Sequence, residues 1–258
     1  MSPDNVFIAR STKTGAVVAN IAKTQNRTTG KFFKSIIAAA ALSTCAMAQA
    51  DVTLNFEGDA AGLYFAGSQE YIDNYWLETY GGTQTNDLAG LIIDGSNPYA
   101  CDTIISCPVN NKSKYLALFD DSYAYFGLAD DSRFKLTSLQ ASFIGAGQAT
   151  YPATAGLLVL QGFNADGSLA GGALQLGLAG PTNGAFNFAT YNTGAFGGQL
   201  MSYVRVLGYT CDTGGSCNRS ANLANFALDN IVTVPEPTTL ALLGLGLAGF
   251  GVSRRRRA

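Results

Sequence analysis

The chain has 258 residues, 47% of them hydrophobic and only 13% charged, with 30 glycines. That balance is too apolar and aromatic for a disordered polymer, and the length suffices for one large core or two small ones. The formal net charge is −2, and histidine is absent, which excludes Ser-His-Asp and Cys-His catalysis as well as histidine-ligated zinc and haem.

Residues 1–30 are polar and basic without clear periodicity. Residues 31–50 read KFFKSIIAAAALSTCAMAQA. Lys31 and Lys34 precede a short apolar run from Ile36 to Met47, and Ala48-Gln49-Ala50 places small residues where a signal peptidase inspects them. Residues 1–50 are therefore read as an N-terminal extension and secretory signal peptide, with cleavage expected after Ala50. The run is too short to cross a hydrocarbon core of ~30 Å as a permanent helix.

Residues 51–234 hold six basic side chains against sixteen acidic ones, a net charge of −10. So acidic a segment repels phosphate backbones, and no nucleic-acid partner is expected. Its pattern is one of short strands and turns. Residues 52–57, 134–143 and 226–231 alternate with period two, and 157–163 and 203–209 are shorter apolar runs. Asn164-Ala165-Asp166-Gly167-Ser168 is a turn whose Asp-Gly pair suits positive φ between paired strands. No stretch keeps an amphipathic 3.6-residue period over several turns. One all-β sandwich over 51–234 is the expected fold class.

Four cysteines remain once Cys45 leaves with the signal peptide. They lie in two similar loops, Cys101 to Cys107 and Cys211 to Cys217, both reading C-D-T-x-x-S-C. Export places them in an oxidising compartment, so disulfides are expected. Local pairing within each loop is favoured, although four cysteines allow three connectivities. The spacing is wide for a zinc site, and no C-x-x-C redox motif occurs.

Asp120-Asp121 and Asp130-Asp131 raise the question of a two-carboxylate hydrolase. Adjacent aspartates in a strand face opposite ways, and in turns they are good turn formers, so no catalytic residue is assigned and no enzyme activity is expected. Tyr64, Tyr71, Tyr75, Trp76 and Tyr80 form an aromatic-rich stretch, expected chiefly in the core. Trp76 is the candidate to stack on a sugar ring if it proves exposed.

Val234 is followed by Pro235-Glu236-Pro237, by fifteen uncharged residues (238–252), and by Ser253 and Arg254-Arg255-Arg256-Arg257. As a helix the apolar run covers roughly 22 Å at ~1.5 Å per residue, and snorkelling arginines extend its reach. The arginine cluster should stay cytoplasmic, with the domain outside the inner membrane. Gly244 to Gly249 fits G-x-G-x-x-G, but nothing follows to build the βαβ unit that this motif needs.

The order Pro-Glu-Pro, short membrane helix and basic cluster resembles the PEP-CTERM sorting domain. The resemblance implies that residues 235–258 are a sorting and anchor tail cut by an exosortase, a membrane protease found with exopolysaccharide systems of Gram-negative bacteria. Residues 226–231 further resemble the closing strand of jelly-roll domains in PEP-CTERM proteins, and 54–58 their opening strand. In such jelly rolls these strands lie side by side, and an acid on each helps to hold a structural calcium, which nominates Glu57 and Asp229. No other cofactor is implied. The expectation is an exported, transiently membrane-anchored envelope or matrix protein associated with exopolysaccharide. The alternative is a carbohydrate-binding module of the cell surface.

Overall fold

The computed structural model describes residues 50–59, 62–81, 87–97, 99–101, 105–219 and 221–236. The signal-peptide run with Ala48, and the tail from Pro237 through Arg254–Arg257, lie outside them. In chain order the strands are β1 (Val52–Leu54), β2 (Leu63–Phe65), β3 (Gln69–Ile72), β4 (Tyr75–Tyr80), β5 (Leu88–Asp94), β6 (Lys114–Leu118) and β7 (Tyr123–Leu128). They continue as β8 (Phe134–Phe143), β9 (Thr154–Phe163), β10 (Leu174–Ala179), β11 (Ala189–Asn192), β12 (Tyr203–Cys211), β13 (Cys217–Asn218) and β14 (Phe226–Pro235), with one helical turn, α1 (Gly194–Gly197), between β11 and β12.

Two antiparallel sheets pack as a jelly-roll-like sandwich. The first runs β11-β8-β14-β6-β5-β2, with β1 also on β14, and the second runs β10-β9-β12-β7-β4-β3, with β13 on β12. Most neighbours are distant in sequence, which explains why local pattern shows strands more readily than their order. The inner faces share one core containing Leu54, Phe56, Tyr75, Leu77, Phe126, Phe134, Phe143 and Phe226, all buried. Each such side chain contributes about 1.5–3 kcal/mol by leaving water.

Strand β8 shows how period two becomes burial. Phe134 and Leu136 point into the core while Lys135 and Thr137 face outward. Between Leu136 and Leu139 the phase slips by one residue, opposite a register shift at Val232/Thr233 of β14. The expected turn at 164–168 carries Gly167 at φ 83°, and Asp166 accepts the amide of Ser168 at 3.0 Å.

A second, smaller cluster lies outside the first sheet: Ile93, Tyr115, Ala117, Ile144, Phe188 and Ala227, with Cys101, Ile105 and Cys107 packed on it. This cover buries β6 on both faces, so its sequence is continuously apolar and shows no alternation. The disulfides Cys101–Cys107 and Cys211–Cys217 both form within their own loops. The first belongs to this cover, and the second joins β12 to β13 at paired positions.

Strand β14 pairs β6 through Phe226–Leu228 and β1 through Ile231–Thr233. The change of partner falls at a bulge after Asp229, where Asn230 takes φ 47°. The opening and closing strands thus lie side by side, with Val52 opposite Thr233. Tyr75 of the second sheet locks this seam: its hydroxyl donates to the Val52 carbonyl at 2.9 Å and lies 2.6 Å from Thr233 Oγ1. At the far end Pro235 still pairs with Phe134, and the Glu236 amide donates to the Arg133 carbonyl at 2.6 Å. The first residue of the Pro-Glu-Pro motif therefore ends strand β14, and the second is tied beside it by a backbone hydrogen bond.

Candidate functional site

The outer face of the second sheet collects most of the surface aromatics. Period two on β4, β7, β9 and β12 sends Trp76, Glu78, Tyr80, Tyr123, Tyr125, Gln161, Phe163, Tyr203, Arg205 and Tyr209 to one side, all half-buried. Cross-strand register aligns them in rows. One row runs Tyr71, Trp76, Gly127, Tyr203, Phe163, and the next Gln69, Glu78, Tyr125, Arg205, Gln161. A third begins with Tyr80 and Tyr123.

The rings support one another. Phe163 and Tyr203 stack with centroids 5.0 Å apart, Tyr80 and Tyr123 stack at 5.1 Å, and Trp76 lies 6.1 Å from Tyr203. Tyr125 sits between the groups, edge-on to Tyr203 at 5.9 Å and to Tyr80 at 5.7 Å. Mutual packing fixes their orientation, so a ligand would meet a preformed surface rather than order a loose one. Burial, then the hydrogen bond to Glu78 at 2.6 Å, pushes the Tyr80 hydroxyl up. Burial likewise raises Tyr123 and Tyr203. These phenols therefore stay neutral in ordinary media and can both donate and accept hydrogen bonds.

Two cations complete the face. Arg205 donates through Nε (3.0 Å) and Nη2 to Gln161 Oε1, with its guanidinium 5.8 Å from the Phe163 ring. Arg219 donates through Nη2 to the Asp121 carbonyl and lies over Tyr123 at 5.5 Å and Tyr209 at 5.9 Å. Flat rings flanked by fixed polar groups are suited to hold a sugar, whose C–H faces are apolar and whose rim is hydroxylated.

The structure divides the aromatic-rich stretch expected in the core. Tyr64 and Tyr75 are buried there, but Tyr71 is 59% exposed, and Trp76 and Tyr80 belong to the outer face. Strand alternation is the physical reason. Sequence reasoning nominated Trp76 and missed Tyr123, Tyr125, Phe163, Tyr203, Arg205 and Arg219. The available signal was the i, i+2 spacing of Tyr123 and Tyr125 and of Tyr203 and Arg205.

Glu57 and Asp229 meet at one corner, where β14 changes partner. Asp229 is fully buried. Its Oδ2 accepts from Asn111 Nδ2 at 2.7 Å, Ser113 Oγ at 2.9 Å and Asn230 Nδ2 at 3.1 Å, and its Oδ1 accepts the Asn230 amide at 2.7 Å. Burial raises its carboxyl above the usual range; the Asn111 and Ser113 hydrogen bonds oppose this, and the charge of Glu57 adds to it. Glu57 Oε1 accepts the Lys114 amide at 2.9 Å, while the Lys114 ammonium is held on the Glu57 and Asp59 carbonyls. Among the described residues no group of three or more Asp, Glu, His or Cys is placed to hold a metal. The oxygens at this corner are hard donors of the class that calcium takes, but here Asn111 turns Nδ2 to Asp229 while its Oδ1 accepts from Ser113, and the Asp229 carboxylate is satisfied by hydrogen bonds.

The aspartate pairs are turn formers. Asp120, Asp121 and Asp131 have φ between 54° and 59°, the Asp121 carboxylate accepts the amides of Asn222 and Ala224, and Asp130 accepts that of Ser132. Among the described residues no helix is long and apolar enough to cross a membrane; Ala50 is exposed at the start of the described chain.

Residues 233–257 match the PEP-CTERM protein-sorting motif. The motif marks an exported protein with a C-terminal membrane-anchoring sorting signal that an exosortase processes, which makes this chain an exosortase substrate with a β-sandwich domain. No curated protein matches the chain. Among solved structures, a DUF4465 family protein from Bacteroides caccae aligns with 73% of this chain and 100% of its own at TM-score 0.47 and 12% identity. TmCBM61 in complex with β-1,4-galactotriose aligns with 62% of this chain and 88% of its own at TM-score 0.29 and 9% identity. A Family 16 Carbohydrate Binding Module-2 aligns with 57% and 85% at TM-score 0.26 and 16% identity.

Proposed function

We propose that the mature sandwich is a non-enzymatic envelope or matrix protein of a Gram-negative bacterium that associates with exopolysaccharide through the outer face of its second sheet. The observation that carries this reading is the aligned set of rings from Trp76, Tyr125, Phe163 and Tyr203 on four strands of one sheet. The tail holds the protein briefly at the inner membrane until the exosortase cuts near Pro235–Pro237, and the released domain joins the extracellular polymer. A calcium ion at Glu57, Asn111, Ser113 and Asp229 would neutralise the buried carboxylate and brace the seam between first and last strands.

Retention of the purified domain on a panel of insoluble polysaccharides tests the reading. Selective retention that weakens about tenfold or more in Trp76→Ala supports it, tenfold corresponding to ~1.4 kcal/mol. Absence of retention on every polymer overturns it.

A further inference from the structure

The second-sheet face departs from the charge of the domain that carries it. Residues 51–234 contain six basic side chains against sixteen acids, yet two of those six, Arg205 and Arg219, converge on this face. Both act electrostatically on one hydroxyl, that of Tyr123, which also feels Glu78. Neither guanidinium is paired with a carboxylate among the described residues. Arg205 is held by a neutral amide, Gln161, and a ring. Arg219 is held by a carbonyl and two rings, and its Nε is buried without a partner. The acids nearby are otherwise engaged: Glu78 accepts from Tyr80, Asp121 caps Asn222 and Ala224, and Asp166 at the rim is bound by Ser168.

Both guanidiniums lie against rings and are braced by neutral acceptors. Gln161 takes the Nε edge of Arg205 and the Asp121 carbonyl takes Nη2 of Arg219, which fixes both planar groups beside the rings and leaves their remaining N–H donors for a carboxylate from outside.

We infer that the face binds a carboxylated polysaccharide, a polymer containing uronic acid, with Arg205 and Arg219 receiving the carboxylates and the aromatic rows receiving the sugar rings. The inference rests on the polysaccharide-binding reading and specifies its ligand class. Neutral glycans of the same backbone should bind more weakly, and added salt should weaken the charged part of the interaction.

The test titrates the purified domain with alginate and with carboxyl-reduced alginate, following the fluorescence of Trp76, the sole tryptophan. The expected result is binding of alginate that falls at least tenfold on carboxyl reduction and at least tenfold in Arg205→Gln. Arg205→Lys should recover only part of it, since an ammonium lacks the fork. Lys112→Gln removes the same charge from an exposed position outside this face and should bind as the parent does. Circular dichroism confirms that each variant is folded, and Arg219→Gln provides an independent second site. Equal binding of the two polymers, or equal weakening by Lys112→Gln and Arg205→Gln, overturns the carboxylate inference while leaving polysaccharide binding intact. No binding of either polymer, together with no retention of the domain on any insoluble polysaccharide, removes both.

Discussion

Gly127 lies opposite Trp76 across β4 and β7, and a Cβ at position 127 would fall 2.7 Å from the indole Nε1. The missing side chain is thus the slot in which the indole rests as it reaches toward Tyr203. Gly127→Ala should lift Trp76 from this slot, shift its emission and weaken polysaccharide retention about tenfold, at a cost of roughly 1–3 kcal/mol in stability from overpacking. Emission and retention identical to the parent would show that the slot does not position the ring.

Tyr75 joins the two sheets at the seam where the chain opens and closes. Tyr75→Phe takes one partner each from the Thr233 hydroxyl and the Val52 carbonyl, which keep their own 3.4 Å contact, so a loss of about 1 kcal/mol is expected in chemical denaturation. Burial, opposed in part by the Thr233 hydrogen bond, pushes the Tyr75 hydroxyl up to about 12. An unfolded tyrosine ionises near ~10. The folded state therefore holds the proton longer, and the stability this contributes is complete below about pH 10 and lost as pH rises toward about 12. The alkaline decline should be shallower in Tyr75→Phe than in the parent.

Each disulfide closes a loop with a sequence separation of 6. Chain-entropy arguments give roughly 2 kcal/mol for so small a loop. Replacing both cysteines of either pair by serine should cost about that much, measured by urea denaturation. Alkylation of the exported protein without reduction should label none of the four, and labelled Cys101 or Cys211 would contradict the pairing.

Asp229 is a buried carboxylate whose hydrogen-bond donors are neutral groups. A hard cation there would compensate it directly. Calcium at a hundred times its dissociation constant should stabilise the domain by about 2.7 kcal/mol, visible as a higher Tm that EDTA reverses. Asp229→Asn should abolish the response. A parent protein indifferent to both calcium and EDTA would leave the corner held by hydrogen bonds alone.

Sequence and structure agree where the physics is local. Strand β8 alternates because only one of its faces meets the core, and the 164–168 turn follows from Asp166 and Gly167. The paired loops were legible because each cysteine finds its partner six positions away. Strands β5 and β6 were not, since the cover beneath Cys101–Cys107 buries β6 on both faces and erases the alternation. The aromatic face was hidden for a different reason. Trp76, Tyr125, Phe163 and Tyr203 become neighbours only through the order β9-β12-β7-β4, which no short window of sequence encodes. Asp229 was nominated from its strand, but its partner Asn111 lies 118 positions away in irregular chain.

The most direct test of the account is intact-mass spectrometry of the protein recovered with the exopolysaccharide of a host that has an exosortase. A species that begins at Asp51, ends near Pro237 and lacks Arg254–Arg257 is the predicted result, with Trp76→Ala trimmed identically but shed into the medium. A full-length chain retaining its arginine end, or a trimmed parent absent from the polymer fraction, would contradict it.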